Sequence, residues 1–285
     1  MTPPTQDQEE PRPTALITGC SAQGIGSALA QAFHARGFHV FATARSLPKM
    51  AHLADLPHVT LLELDVTCAA QIARAVAAVR AHTSGKLDYL VNNSGLPLVR
   101  PALETSLAEA QALFDVNFWG AVRVTQAFSG MVVAARGCVA NIASLGGNMP
   151  VVWNAFYAAS KAALKSYGET LRLELAPFGV RVVTVMSGVV RTQIFDKHPD
   201  LQFPGSMYEP ATDGVRRMAA GESVKDPMAP EEYARRVVED LLGGKSGLVW
   251  RGKMASVGWF LTTWMPTWVL VSFFFPLAFF GAGAG

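Results

Sequence analysis

A tyrosine and a lysine stand one helical turn apart in Tyr157-Ala-Ala-Ser-Lys161. Residues four apart share a face of a helix, so the phenol and the ammonium can meet. A phenol titrates near pH ~10, and a neighbouring cation lowers that pKa, which suits proton transfer. Tyrosine and lysine also occur at this spacing by chance on ordinary helix faces. The pair therefore indicates acid–base chemistry only if other groups join it.

Other polar groups stand at strand ends or inside an apolar helix. Ser144 follows a predicted strand at 138–143, and Asn92-Asn93-Ser94-Gly95 ends another. Open parallel sheets bind ligands at the carboxyl ends of their strands, where a serine hydroxyl can bond a carbonyl oxygen that gains negative charge. Asn117 lies in an apolar helical stretch, where a buried amide needs partners. A turn serine, a loop cap and a helix irregularity are the alternative interpretations.

A glycine-rich turn, Thr18-Gly19-Cys-Ser-Ala-Gln-Gly24-Ile-Gly26, joins the first predicted strand to a helix. Glycines there let the backbone turn tightly and approach a pyrophosphate at the helix N-terminus. At the end of the second strand an acid binds a free ribose, whereas an arginine receives a 2′-phosphate. This strand ends in Arg45 without an acid, so we predict NADPH, with Ser21 as a second contact. A solvated surface arginine is the alternative.

These groups need elements that position them, and the chain alternates short apolar runs with helical patterns. Continuous apolar runs are typical of strands buried on both faces of a parallel sheet. Strands are predicted at 15–18, 40–43, 59–64, 87–91, 138–143, 180–186 and 247–250. Helices are predicted at 24–36, 69–81, 107–131 (with Ser106 and Glu109 as a capping box), 155–175 and 231–242. The pattern predicts one α/β domain over 14–253, a Rossmann-type doubly wound parallel sheet with helices on both faces.

In order and spacing, the glycine turn, Asn92 to Gly95, Asn117, Ser144 and Tyr157-x-x-x-Lys161 resemble the classical short-chain dehydrogenase/reductase family, over about residues 14–250. The resemblance implies that Tyr157 protonates the substrate oxygen and that Lys161 binds the nicotinamide ribose and lowers the tyrosine's pKa. It implies that Ser144 orients the carbonyl and Asn117 holds a relay water. It also implies a set of cofactor contacts, with Asp65 at the adenine: Gly19, Ser21, Gly24, Ile25, Gly26, Arg45, Asp65, Asn93, Tyr157, Lys161, Val190 and Thr192.

Three departures from the family pattern bear on local geometry. The first two glycines of the turn are separated by four residues instead of three, the last being Gln23. Ser94 replaces a common alanine and Ser187 a common proline. We expect these two serines to change hydrogen bonding more than fold, and none of the departures removes a catalytic group.

Several segments more closely resemble a fungal subgroup, the NADPH-dependent acyldihydroxyacetone-phosphate reductases. They are Thr18-Gly-Cys-Ser21, Phe41-Ala-Thr-Ala-Arg45, Asp115-Val-Asn-Phe-Trp-Gly120 and Leu171-Arg-Leu-Glu-Leu-Ala-Pro177. This resemblance implies reduction of a ketone on a lipid-like substrate. The same pattern resembles ketoreductases that tailor polyketide-like natural products in fungi. A sensor that binds NADPH without turnover, and an enzyme that oxidises an alcohol with NADP⁺, are further alternatives.

Composition excludes other classes of function. The formal net charge is +2 and no Lys/Arg run is present, which argues against nucleic acid as a partner. Cys20, Cys68 and Cys138 lack the paired spacing of a zinc site or a disulfide framework, and the histidines are dispersed. We therefore expect reduced thiols and no metal.

Residues 189–230 carry Phe195, Phe203, Met207 and Tyr208 among glycines and prolines. This composition predicts a mobile substrate loop that closes over an apolar ketone, and a surface excursion is the alternative. A phosphorylated lipid would need a cationic contact, for which the loop offers four candidates: Arg191, Lys197, Arg216 and Arg217.

The two ends of the chain differ from the domain between them. Residues 1–13 lack the basic start and apolar run of a secretory signal and are predicted to be a disordered lead. Residues 254–285 form an apolar tail without a charge, in which Pro266 and Pro276 interrupt a stretch long enough to cross a bilayer. We expect contact with a membrane or lipid droplet, on the cytoplasmic side of the endoplasmic reticulum, and otherwise a cytoplasmic protein. A flap over the substrate or a homo-oligomer interface is the alternative.

Overall fold

The computed structural model describes residues 12–192, 201–222, 226–266 and 268–271. Its strands pair in parallel in the order β3-β2-β1-β4-β5-β6-β7, which confirms the predicted doubly wound sheet. The strands are β1 (Thr14–Thr18), β2 (His39–Ala44), β3 (Val59–Glu63), β4 (Tyr89–Asn92), β5 (Cys138–Ile142), β6 (Arg181–Ser187) and β7 (Gly247–Arg251). Each predicted strand forms, with boundaries shifted by up to two residues.

Helices connect the strands and cover both faces of the sheet. They are α1 (Ile25–His34), α2 (Ala69–Thr83), α3 (Leu107–Phe114), α4 (Ala121–Ala135), α5 (Ala155–Leu175), α6 (Thr212–Ala219), α7 (Pro230–Leu242) and α8 (Ala255–Trp264). The crossovers are those that parallel pairing requires, because a hairpin cannot join parallel neighbours.

Two apolar layers form the core, one on each side of the sheet. Ile17 of β1 faces the layer that also holds Phe33 of α1 and Tyr233 of α7. Leu16, the neighbouring residue, faces the opposite layer with Val79 of α2 and Phe128 of α4. Successive side chains of a strand point to opposite faces, so a strand buried on both sides is largely apolar. All five residues of β1 are indeed buried.

The predicted helix 107–131 is interrupted. It begins as expected with the Ser106 and Glu109 capping box, but between α3 and α4 the chain forms a π-helical segment, Asp115–Gly120. A Cβ on Gly120 would lie 2.5 Å from Cγ2 of Val66, so the backbone here packs directly against its neighbour. A π turn shifts the register of a helix by one residue and is frequent at functional sites. The segment contains Asn117.

The predicted lead, loop and tail are only partly covered by the described residues. Residues 1–11, 193–200, 223–225, 267 and 272–285 lie outside them, and so do Phe195 and Lys197. Within the predicted substrate loop, the chain forms α6, which is not a feature that the sequence indicated. In the tail, α8 ends at Trp264, before Pro266. A search of the described residues finds no helix with the length and hydropathy to cross a membrane.

Candidate active site

The polar groups singled out in the sequence meet at the carboxyl edge of the sheet, the edge at which the strands end. Ser144 follows β5, and Asn93 follows β4. Tyr157 and Lys161 lie in the first two turns of α5, the helix that follows Ser144 in the chain. The structure therefore brings the Ser144, Tyr157 and Lys161 side chains to one place, as the sequence predicts.

Ser144 and Tyr157 are joined by a hydrogen bond between their hydroxyl groups. Burial raises the pKa of Tyr157, and the Ser144 bond acts in the opposite direction without cancelling the effect. The backbone N–H of Gly146 donates to Oγ of Ser144 at 3.2 Å, which fixes the serine side chain. At neutral pH the phenol consequently holds its proton, and both hydroxyls face the same small region.

Lys161 is buried, and its Nζ donates to the carbonyl of Ile142 at 3.0 Å. Burial lowers the pKa of this lysine to about 8. Nζ lies 5.9 Å from the ring centre of Tyr157. The sequence predicted that the ammonium would lower the pKa of the tyrosine. In the structure the Ser144 bond has that effect instead, because the lysine is directed at the end of β5.

Asn117 is buried in the π-helical segment, and its amide is fully engaged. Oδ1 accepts from the N–H of Leu96 at 2.7 Å, while Nδ2 donates to the carbonyl of Leu96 at 3.0 Å and to Oγ of Ser160 at 3.1 Å. The side chain thus holds the loop after β4 against α5. Helix irregularity and site were alternatives in the sequence; the structure shows the irregularity, and the site role of Asn117 stays a prediction. Its relay water stays an implication of the resemblance.

Ser160 is a residue that the sequence reasoning missed. It is fully buried, donates to the carbonyl of Tyr157 at 2.7 Å and accepts from Asn117. It therefore links the asparagine to the helix that carries Tyr157 and Lys161. A signal was available, because Ser160 immediately precedes the lysine and would need a partner on a buried helix face.

The glycine turn is fixed by close backbone packing and by Asn93. Gly19 has a φ of +76°, which favours glycine, and a Cβ on Gly26 would overlap the carbonyl of Gly19 and lie 2.5 Å from Nδ2 of Asn93. Nδ2 of Asn93 donates to the carbonyls of Thr18 at 2.8 Å and Gly19 at 3.2 Å. Asn93, predicted as a cofactor contact, thus supports the turn through its amide.

The additional residue of the turn is accommodated by a left-handed backbone. Gln23 has a φ of +59° and is exposed, and Gly24 precedes α1 and donates its N–H to the carbonyl of Ser21 at 3.2 Å. Ile25 is the first residue of α1 and packs against the core. The longer turn still delivers the chain to the N-terminus of α1, so the departure from the family pattern is local.

Arg45 and Asp65 come together at the far end of the same edge. Arg45 is exposed and follows β2 directly, and Asp65 lies two residues after β3. Burial raises the pKa of Asp65, but two hydrogen bonds from Thr67 and the charge of Arg45 outweigh it, so the pKa lies below its ordinary value. Asp65 is therefore charged, and Arg45 lies near enough for its positive charge to lower the pKa of that carboxyl.

The segment after β6 reaches the site from the other side. Val190 is buried and pairs with Met228, and Oγ of Ser187 lies 2.5 Å from the hydroxyl of Tyr233 in the core. The serine in place of proline therefore has a buried hydrogen-bond partner, and β6 still forms, in line with the expectation that it would change hydrogen bonding more than fold. Thr192 is the last residue described before the gap at 193–200.

Comparison with known proteins agrees with this geometry. The family model described as short chain dehydrogenase matches residues 13–201. The chain belongs to this family. It is 48% identical over 255 residues to a short-chain dehydrogenase of Penicillium ochrochloron, covering 90% of this chain and 94% of the relative.

Two further comparisons add detail about relatives of this short-chain dehydrogenase. An NADPH-dependent 1-acyldihydroxyacetone phosphate reductase of Schizosaccharomyces pombe is 38% identical over 257 residues, covering 85% of this chain and 86% of the relative. A short-chain dehydrogenase of Burkholderia cenocepacia, solved in complex with NADP, superposes with a TM-score of 0.73 at 26% identity. That match covers 92% of this chain and 97% of the solved one.

A separate apolar cluster of this short-chain dehydrogenase lies around Trp153. Trp153, four residues before Tyr157, is buried with a φ of +63°, and its carbonyl accepts from the N–H of Arg100 at 2.7 Å. Its ring meets that of Tyr208 edge to face, with 5.8 Å between centroids. The cluster joins segments that are far apart in sequence: Val99, Trp153, Leu201, Phe203, Ala211, Val215 and Ala219. Phe203 and Tyr208 were predicted as loop residues from the sequence, but Trp153 was not, because its place in the cluster depends on tertiary packing.

The described part of the dehydrogenase contains no group of three His, Cys, Asp or Glu side chains arranged to hold a metal. Cys20 and Cys138 are buried free thiols, and burial raises the pKa of each to about 12. Both are therefore protonated core residues. The chemistry of the site belongs to hydroxyl, amide and ammonium groups.

Proposed function

We propose that this dehydrogenase reduces a ketone to a secondary alcohol with NADPH, and that Tyr157 is the proton donor. The observation that carries the proposal is the pair of hydroxyls at the carboxyl edge, Ser144 and Tyr157, hydrogen-bonded to each other beside the buried Lys161. Two hydroxyls that converge on one region can both bond a single carbonyl oxygen. A raised phenol pKa keeps the donated proton in place until the oxygen needs it.

The protein's part in the reaction follows from these contacts. The Ser144 hydroxyl donates to the carbonyl oxygen and holds it beside Tyr157. As negative charge develops on that oxygen, the Tyr157 hydroxyl transfers its proton, and the alcohol O–H bond forms. The Lys161 ammonium, held by the carbonyl of Ile142 at 3.0 Å, would bind the nicotinamide ribose beside Tyr157. Asn117 and Ser160 hold α5 and the loop after β4 in register.

The glycine turn fits a dinucleotide. A Cβ on Gly19 would lie 3.1 Å from Oγ of Ser94, so the absence of a side chain lets the turn pack against the segment after β4 and lead into the N-terminus of α1, where backbone N–H groups can bind an anion. Gly19, Ser21, Gly24, Ile25 and Gly26 would hold the pyrophosphate there. Arg45 would meet a 2′-phosphate, and Asp65 the adenine. When bound, NADPH supplies the hydride that reduces the carbonyl carbon.

The choice of the phosphorylated cofactor rests on the end of β2. Arg45 is exposed and directly follows the strand, at the position where an acid would instead bind the ribose of NADH. The Schizosaccharomyces pombe relative is named as NADPH-dependent, and the Burkholderia cenocepacia structure holds NADP. Both names support the same cofactor for this chain.

For the substrate we propose a lipid-like ketone such as acyldihydroxyacetone phosphate. The apolar cluster of Trp153, Leu201 and Phe203 beside the site suits an alkyl or polyketide chain. The name of the Schizosaccharomyces pombe relative supports the lipid.

One observation favours the alternative, a polyketide-like ketone without a phosphate. Nε of Arg216 donates to the carbonyl of Leu201 at 2.9 Å, and its Nη1 lies 3.7 Å from Asp213. This cation is thus engaged by the protein itself. Arg191 and Arg217 are exposed and remain candidates for a phosphate contact.

The test is NADPH oxidation by the purified full chain with acyldihydroxyacetone phosphate, with the same acyl ketone lacking phosphate, and with a panel of polyketide-like ketones. Turnover that requires the phosphate supports the lipid, and turnover of the phosphate-free ketones supports the alternative. Arg45→Glu should reduce the preference for NADPH over NADH by at least about tenfold. NADPH binding without turnover of any ketone would contradict the proposal and favour a sensor.

A further inference from the structure

Helix α8 packs directly against the loop of the candidate active site that follows β5. It follows β7 at the carboxyl edge, and its buried face includes Ala255 and Gly258. A Cβ on Gly258 would overlap the side chain of Leu145 and lie 2.8 Å from its Cδ2. Leu145 is the residue after Ser144. The helix backbone therefore rests on the loop that carries the catalytic serine.

A second contact fixes the start of α8. Val189 and Lys253 exchange two backbone hydrogen bonds, at 3.0 and 3.1 Å, and the N–H of Gly188 donates to the carbonyl of Arg251 at 2.8 Å. These bonds join the chain before α8 to the segment that follows β6. The backbone bonds hold the start of α8, and the close approach of Gly258 to Leu145 holds its middle. Together these two contacts define how α8 is oriented relative to the site.

The outward face of α8 consists largely of aromatic and aliphatic side chains. Trp259 exposes 46% of its surface, Phe260 49% and Trp264 65%, and Val257 is exposed beside them. The exposed polar residues on the same helix are Ser256 and Thr263. Leaving this much apolar surface in water is unfavourable, so the face is expected to have a partner.

The composition of the segment identifies the partner as lipid. From Met254 to Gly285 no residue is charged, and the run includes Trp259, Trp264 and Trp268. Tryptophan prefers the boundary between lipid chains and headgroups, where its ring is apolar and its N–H can still find a partner. Three tryptophans in one uncharged run match a lipid interface more closely than a protein interface, whose rim is polar. Lys253, an exposed cation directly before the run, suits lipid phosphates.

We propose that the outer face of α8 docks in the interfacial layer of a lipid membrane and thereby turns the carboxyl edge of the sheet, with Ser144 and Tyr157, toward that membrane. The helix lies along the surface with Val257, Trp259, Phe260 and Trp264 in the lipid. One consequence rests on the proposed function: an apolar ketone dissolved in the bilayer reaches the site without crossing bulk water.

The experiment measures sedimentation of the full-length protein with vesicles of phosphatidylcholine, and with vesicles that also contain phosphatidylserine. The test variant is the triple substitution Trp259→Glu, Phe260→Glu and Trp264→Glu. The matched control is Leu173→Glu with Phe178→Glu, because both side chains are more than half exposed and lie near the start of β6, at the opposite edge of the sheet. Thermal unfolding and NADPH binding of every variant establish that the fold is intact.

Wild type and control should sediment with both kinds of vesicle at high salt, and the triple variant should bind at least about tenfold more weakly. Three results would overturn the proposal. They are a wild-type protein that stays in the supernatant, a triple variant that binds as well as wild type, and binding that requires phosphatidylserine and disappears with salt. A wild-type dimer that the triple variant dissociates, without vesicle binding, would assign the face to a second copy of the chain instead.

The experiments can disprove membrane docking without disproving ketone reduction, and the reverse. Vesicle binding is measured without substrate, so a chain that binds vesicles and reduces no ketone keeps the docking and loses the enzyme. A chain that reduces soluble ketones but does not bind vesicles would support the proposed function and contradict the docking.

Discussion

Two parts of the carboxyl edge are built differently: the glycine turn, which we propose as the cofactor half, and the apolar cluster around Trp153, which we propose as the substrate half. In the cofactor half, β1 passes into α1 through one short turn, and Asn93 bonds that turn from the end of the neighbouring strand β4. In the substrate half, Trp153, Leu201 and Val215 come from three distant segments and meet in a small cluster separate from the main core layers. The cofactor half depends on backbone geometry, and the substrate half depends on side-chain packing.

This difference explains why the reaction is easier to infer than its substrate. A backbone that must turn and approach a ligand restricts the residues at Gly19 and Gly26 almost to one type. An apolar cluster tolerates many combinations of similar volume, so its residues specify a chemical class and not a particular molecule. The predictions below test each half in turn.

The largest effect is expected for Tyr157→Phe. Removing the phenolic oxygen removes the proton donor, and general acid catalysis contributes about 10²- to 10⁴-fold, so we expect kcat to fall about a thousandfold, or ~4 kcal/mol. NADPH binding and thermal unfolding should change little. Steady-state kinetics and fluorescence titration measure both.

Tyr167→Phe is the matched control for this prediction. Tyr167 lies on the same helix, and its hydroxyl bonds Thr125 rather than Ser144. The variant should retain activity within about threefold, because a neutral hydrogen bond contributes only ~1 kcal/mol. Equal losses in the two variants would contradict the assignment of Tyr157 as the donor.

The buried Lys161 should make stability depend on pH. Its pKa is about 8 in the folded protein and 10.5 in the unfolded chain. Between these values the unfolded state binds the proton and the folded state does not, so the stability of wild type rises with pH. Relative to Lys161→Met, the gain should be about 3 kcal/mol across that interval.

Denaturant unfolding of wild type and Lys161→Met at a series of pH values measures this difference directly. Ionisation of the buried thiols, which stay protonated in the folded protein to about pH 12, affects both proteins equally and cancels in the comparison. A difference that does not change between pH values of about 8 and 10.5 would show that Lys161 keeps an ordinary pKa.

Gly26→Ala should weaken NADPH binding by at least about tenfold and stability by about 2 kcal/mol. The added Cβ would overlap the carbonyl of Gly19 and crowd Asn93, so α1 must move away from the turn. Gly130→Ala is the control, because a Cβ there meets nothing within 4 Å on helix α4. That variant should be as stable as wild type or up to ~1 kcal/mol more stable. Similar affinities in both variants would indicate that the turn does not approach the cofactor closely.

The sequence carried enough information to predict the sheet and to expect that most of the proposed catalytic groups would lie close together. The strands are continuous apolar runs, and Ser144, Tyr157 and Lys161 follow from strand ends and helical spacing. The pattern of apolar residues and the spacing along a helix depend only on residues close in sequence, which is why these features could be predicted. The structure places the three side chains together. The parallel order of the strands then follows from the crossover helices.

Other features could not be predicted, because they depend on contacts between distant residues. The π-helical segment at Asn117 arises where the chain meets Leu96 and Ser160, neither of which is close in sequence. The same is true of the lysine's bond to Ile142, which changed the expected effect on the Tyr157 pKa. Helix α6 forms within a stretch whose composition predicts a loop. It forms there because Val215 and Ala219 belong to the apolar cluster around Trp153.

The smallest expected effect tests the substrate half. Trp153→Ala removes the ring that meets Tyr208 edge to face at 5.8 Å, and such a pair contributes about 1 kcal/mol. We expect KM for a bulky ketone to rise roughly fivefold, while kcat for a small ketone stays within about twofold, because Tyr157 and Ser144 are untouched. A double-mutant cycle with Tyr208→Ala isolates the pair, and Phe178→Ala, an exposed residue at the opposite edge, controls for loss of apolar surface. A uniform fall in kcat for both ketones would mean that Trp153 positions the catalytic helix α5, and that the two halves are coupled through its first turn.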